Sequence, residues 1–130
     1  MKTESVKIIL PLPSNLLSPN RPPGSMGGRM AKAAASKKYR SLAKAAALNE
    51  SIDSGPWEKA TIEATFFYQT KRRRDDVNHL AMLKSAYDGI VDAGVLVDDD
   101  SEHLTTTGCH FCTDKEFSRV ELTITRVFPE

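Results

Sequence analysis

Residues 71–102 read KRRRDDVNHLAMLKSAYDGIVDAGVLVDDDSE. Four consecutive cations, Lys71 to Arg74, run straight into Asp75 and Asp76. Leu80, Leu83, Ala86, Tyr87 and Ile90 then recur at helical spacing, while Lys84, Asp88 and Asp92, four apart, mark a polar stripe. This spacing predicts one helix of about five turns, ended by Gly94 in the left-handed region. Val95-Leu96-Val97 follows and delivers Asp98, Asp99 and Asp100. Three adjacent carboxylates repel one another and add nothing to a core, so they point to a use. A divalent cation is the natural one.

On the N-terminal side of this stretch, Ala60, Ile62, Ala64 and Phe66 alternate with Thr61, Glu63 and Thr65, which predicts a half-buried strand within Trp57 to Gln69. Asp53 to Pro56 reads as the turn before it. Met30 to Leu48, rich in alanine and lysine, predicts a helix with a thin apolar stripe and a basic outer side. Pro11 to Gly28 is a long loop dense in proline and glycine, and Val6 to Leu10 a first strand. On the C-terminal side, Leu104 to Phe111 and Arg119 to Val127 read as two strands that pair as a hairpin through a turn at Thr113 to Glu116. The order β, α, β, α, β, β predicts an α+β fold: one domain, with a mixed sheet of about four strands and two main helices packed on it.

At 130 residues, 40% hydrophobic and 27% charged, the chain has the composition of one ordinary globular domain. No apolar run reaches the length of a membrane span, and the N-terminus lacks a secretory signal pattern, so a cytoplasmic protein with no membrane partner is expected. Two cysteines, Cys109 and Cys112, make no disulfide framework. Together with His103 and His110 they offer a zinc reading, but a strand carries Cys109 and Cys112 to opposite faces.

The net charge of +1 hides an asymmetry: Arg21 to Lys44 holds seven Lys or Arg and no acid. With Lys71 to Arg74 this makes two basic segments beside a carboxylate cluster, a combination that favours phosphate binding over a merely solvated face. Asn15 in the long loop, Arg21, Arg29, Lys32, Lys37 and Lys38, and Arg72, Arg73 and Arg74 are the expected contacts. Mg2+ takes hard oxygens, and Asp75 and Asp76 lie before a helix that Asp98 to Asp100 follow, so return of that helix can bring the two groups together. Lys84 is placed to stabilise charge on a phosphoryl group. Plainer roles stand beside these: helix capping for Asp75 and Asp76, and an i,i+4 pair with Asp88 for Lys84.

In this order, Arg72-Arg73-Arg74-Asp75-Asp76-Val77-Asn78, Lys84, Asp88, Ala93-Gly94-Val95 and Asp98-Asp99 resemble the RusA-like Holliday junction resolvases, small endodeoxyribonucleases of phages and prophages. Ile8 to Asn15 and Val120 to Thr125 resemble the family's two ends. The resemblance implies a homodimer that uses Mg2+, for which Mn2+ may substitute, to cut two opposed strands of branched DNA at a four-way junction. It makes Asp75 the first metal-binding aspartate, Lys84 the catalytic lysine and Asp99 the aspartate after the helix, with Asp98, also a candidate metal ligand, and Asp100 as alternatives to Asp99. The chain departs from the family at the second aspartate, where Val77 stands: either Asp76 serves from the adjacent position or the site lacks one ligand. A branched-DNA-binding or assembly module that no longer cuts is the alternative.

Overall fold

Alternation of apolar and polar residues is what builds the sheet. In the computed structural model, which describes residues 4–19, 24–50 and 52–129, strands β1 (Ser5–Leu10), β2 (Ala60–Tyr68) and β4 (Arg119–Arg126) bury every second side chain. Val6, Ile8 and Leu10, Ala60, Ile62, Ala64 and Phe66, and Val120, Leu122 and Ile124 form one apolar face. Each large side chain fully buried there contributes on the order of 1.5–3 kcal/mol. Helices α1 (Met26–Asn49) and α3 (Lys84–Asp92) cover this face with Tyr39, Ala43, Ala47, Ala86 and Ile90. The result is a small α+β domain with a four-stranded mixed sheet and two main helices, as the element order implied.

The strand order corrects one expectation. It runs β1-β4-β2-β3, with β3 (Leu104–Thr113) parallel to β2, and β4 antiparallel to both β1 and β2. The expected hairpin of β3 with β4 does not form, because β2 lies between them. Burial explains the order: β4 buries Val120, Leu122 and Ile124 and takes a central place, whereas β3 is rich in exposed threonine and lies at an edge. A bulge at the Ile62/Glu63 register shift lets Thr106 pair with Ile62 and Cys109 with Ala64, so both sit on the helix side despite their odd spacing.

Two helix boundaries also differ. Ser25 accepts the Gly28 N–H at 3.1 Å and starts α1 at Met26, four residues before the expected Met30. The single five-turn helix divides into α2 (Asp76–Ala81) and α3, with Leu83 at φ −94°, ψ 0° between them. The bend allows consecutive Met82 and Leu83 both to be buried, while α2 contacts β3 and α3 packs on α1. Gly94 ends α3 as expected, at φ +83°, with the Gly94 N–H on the Val91 carbonyl and the Val95 N–H on that of Ile90. Val95 to Val97 then pairs with Trp57 through two backbone hydrogen bonds of 2.8 and 2.9 Å. That bridge fixes where Asp98 to Asp100 emerge.

Arg119, at the start of β4, donates to Glu121 and Asp114 at 2.7 and 2.8 Å and lies 3.7 Å from the Phe67 ring centre. Its hydrogen bonds hold both carboxyls below their ordinary values. A depressed folded value means stability that is present above the unfolded value and lost as pH falls through the folded one. The thermal midpoint should therefore fall on acidification below the ordinary glutamate value of 4.5, and fall less steeply in Glu121→Gln. Parallel melting curves for the two proteins over that range would defeat this assignment.

Candidate active site

The end of β2 positions the first group. Tyr68 closes the strand, and the Arg74 guanidinium lies 3.4 Å from its ring centre while donating to the Thr70 carbonyl at 3.2 Å. Asp75 is the extended residue that caps α2. One carboxylate oxygen accepts the Val77 N–H at 3.0 Å and the other the Asn78 side-chain amide at 3.0 Å. Asp76 accepts the same Val77 N–H at 2.9 Å. Capping is thus real, and it fixes the direction in which Asp75 points. A cavity of about 580 Å³ opens here, lined by Asn15, Arg72, Arg73, Arg74, Asp75 and Asn78 among others. Asn15 arrives from a 3-10 turn, Asn15–Leu17, which Ser14 caps.

A second cavity of about 470 Å³ adjoins the first, and Met82 lines both. Lys32, Lys37 and Arg40 of α1 face Lys84, Ser85 and Asp88 of α3 across it. Lys84 Nζ donates to Asp99 at 2.6 Å and to Asp88 at 2.9 Å, so the plain i,i+4 pair and a longer-range pair coexist. The Asp99 side chain is only 10% exposed, against 66% for Lys84, which sets Asp99 apart from its two neighbours. The Asp99 hydrogen bond, then that of Asp88, raises the Lys84 pKa and keeps the ammonium charged. Arg40 is committed to Asp92 through two hydrogen bonds of 2.6 and 2.9 Å that clip α1 to α3.

Cys109 of β3 and Tyr87 of α3 each feel one of these acids. Burial pushes the Cys109 thiol up to about 11, and Asp76 adds to the shift. Burial likewise pushes the Tyr87 phenol up to about 12, with smaller upward effects from Cys109 and Asp99. The Tyr87 hydroxyl is buried and completes no hydrogen bond of normal geometry, although Thr106 approaches it.

Contact between those two acids is another matter. Among the described residues, the group of three metal-ligating side chains whose ligand atoms converge within 4.8 Å is Asp98, Asp100 and His103, and neither Asp75, Asp76 nor Asp99 belongs to it. Local bonding accounts for much of that group. Asp100 accepts from the Glu102 and His103 N–H groups at 3.0 and 3.2 Å and from the His103 ring at 2.6 Å, and Asp98 accepts the Asp99 N–H at 2.7 Å. Cys109, His110 and Cys112 are likewise outside it. The Asp75, Asp76, Asp98 and Asp99 carboxylates offer only hard oxygens, the donor chemistry that suits Mg2+.

Of the expected phosphate contacts, Asn15, Lys32, Lys37, Arg72, Arg73 and Arg74 line the two cavities, whereas Arg29 and Lys38 do not. Arg21 lies outside the described residues. Two residues had no distinguishing signal in the sequence, Tyr68 and His79, yet both line the Asp75 cavity. No protein-family model matches the chain, and no curated protein does. Among the described residues, no helix is long and apolar enough to cross a membrane.

Proposed function

We propose that the protein is a Mg2+-dependent, structure-specific endodeoxyribonuclease that resolves four-way DNA junctions, working as a homodimer. One observation carries the reading. Two basic segments far apart in sequence line adjoining cavities that meet at Met82, one holding Asp75 and the other Lys84. A groove of this kind holds phosphates without reading bases. Arg72, Arg73, Arg74 and Asn15 grip the backbone on one side, and Lys32 and Lys37 on the other. Asp75, Asp76 and Asp99, with Asp98, are the residues that would hold Mg2+, or Mn2+ in its place. When bound, such an ion polarises the scissile phosphoryl group and supplies hydroxide. Lys84, kept charged by Asp99, stabilises the charge that develops on the phosphoryl oxygens. Two strands must be cut to resolve a junction, and a twofold-symmetric dimer supplies two sites related by symmetry.

A second reading draws on the capping bonds of Asp75 and on its not belonging to the group of Asp98, Asp100 and His103: the protein binds branched DNA without cutting it. A synthetic four-way junction, a flap and a linear duplex, each incubated with chelator, Mg2+ or Mn2+, separate the two. Paired, symmetric nicks in the junction with either metal, none with chelator and little in linear duplex are expected. Tight junction binding with no nick in either metal establishes the second reading, and absence of both binding and cutting removes both.

A further inference from the structure

Helix α2 carries Asp75 and Asp76 at its start, yet among its six residues none is fully buried. Leu80 packs against the core only in part, so a further contact must help to seat the helix. The His79 ring does so, lying edge-on to Phe66, Phe111 and Tyr68 with centres 4.9, 4.8 and 5.8 Å away. An apolar side chain could fill that slot, but both ring nitrogens are engaged as well. Nδ1 lies 2.7 Å from the Asp75 carbonyl, which also accepts the His79 N–H at 3.2 Å. Nε2 lies 2.8 Å from the Tyr68 hydroxyl. A carbonyl only accepts, so Nδ1 carries the hydrogen; in the neutral ring Nε2 then accepts from Tyr68. Tyr68 in turn supports Arg74 on its ring face. The chain Arg74, Tyr68, His79, Asp75 joins phosphate contact to carboxylate through one imidazole.

We propose that His79 is a positioning residue for Asp75, a role that rests on the nuclease reading above. It fixes the backbone from which the Asp75 carboxylate projects, as outer partners of metal ligands do. The test compares wild type with His79→Phe, which keeps a ring in the aromatic slot and deletes both hydrogen bonds, and His79→Asn, whose amide reproduces the donor at Nδ1. Two quantities are read: Mn2+ affinity by calorimetry on the protein without DNA, and the Mg2+ concentration for half-maximal junction cleavage. H79F is expected to weaken the first and raise the second by about tenfold or more, and H79N to recover much of both. Unchanged values in H79F overturn the proposal. If H79F does not fold, Tyr68→Phe carries the test, since it removes only the hydroxyl that holds Nε2: a raised Mg2+ requirement supports the role and an unchanged one overturns it. Wild-type protein that cuts with neither metal defeats the nuclease reading itself, a result distinct from a cutting enzyme indifferent to His79.

Discussion

A protein carrying Asp75→Asn is expected to hold a four-way junction and leave it uncut. The substitution is unusually clean for structural reasons. Asparagine caps a helix about as well as aspartate does, so its oxygen keeps the Val77 N–H bond. The Asn78 amide, which donates to the other Asp75 oxygen, can turn and present its carbonyl to the new amide. Shape and capping survive; one negative charge does not. A carboxylate that helps hold a metal against a phosphoryl group contributes several kcal/mol to transition-state stabilisation, and each 1.4 kcal/mol is about tenfold in rate. Cleavage should fall by about a hundredfold or more. Junction affinity without metal should hold or rise, since the cavity that Asp75 shares with three arginines loses its carboxylate. Measured single-turnover cleavage within a few-fold of wild type would sink the assignment of Asp75, and a variant that neither binds nor melts cooperatively would show that the Asp75 charge serves the fold and not the cleavage step.

The contrast between Asp99 and its neighbours shows what kind of information a sequence withholds. Asp98, Asp99 and Asp100 are chemically identical, and no local pattern ranks them. Asp99 becomes distinct only when Gly94 and the Trp57 bridge turn the chain so that it meets Lys84 and is almost covered, while Asp98 and Asp100 stay exposed. Local signals did carry the strands and α1, because one-sided burial imposes period two on β1, β2 and β4 and good helix formers fill α1. Pairing is non-local, and the short β3 to β4 connection suggested a hairpin that the stronger apolar face of β4 overrides. The break at Met82 and Leu83 has neither glycine nor proline to announce it. Nor does His79, one histidine beside leucines and alanines, until Phe66, Tyr68 and Phe111 surround it.

Gly89→Ala should destabilise the fold more than the usual surface substitution, and the geometry of the α1 and α3 crossing gives the reason. A Cβ at position 89 would stand 2.2 Å from the Arg40 carbonyl oxygen and 3.0 Å from both the Ala43 Cβ and the Lys44 nitrogen. The first neighbour is backbone, so no rotamer change relieves the contact, and the helices must separate. Ala43 and Ala86, both fully buried at this layer, would lose close packing with them. Alanine in place of glycine gains about 1 kcal/mol of helix propensity. Overpacking of a dense core costs about 1–3 kcal/mol and more where backbone must move, so the clash outweighs the gain by about 2 kcal/mol. Gly27→Ala supplies the control: at the exposed start of α1 its Cβ would meet only the Ser25 hydroxyl at 3.9 Å, leaving the propensity gain unopposed. Urea titrations should therefore show a lower midpoint for Gly89→Ala and an equal or higher one for Gly27→Ala. The same displacement of α3 would draw Lys84 away from Asp99, so junction cleavage should fall in Gly89→Ala even at temperatures where the protein stays folded. A Gly89→Ala protein as stable as wild type would mean that α1 and α3 do not approach this closely, and the placement of Lys84 beside the Asp99 carboxylate would fall with it.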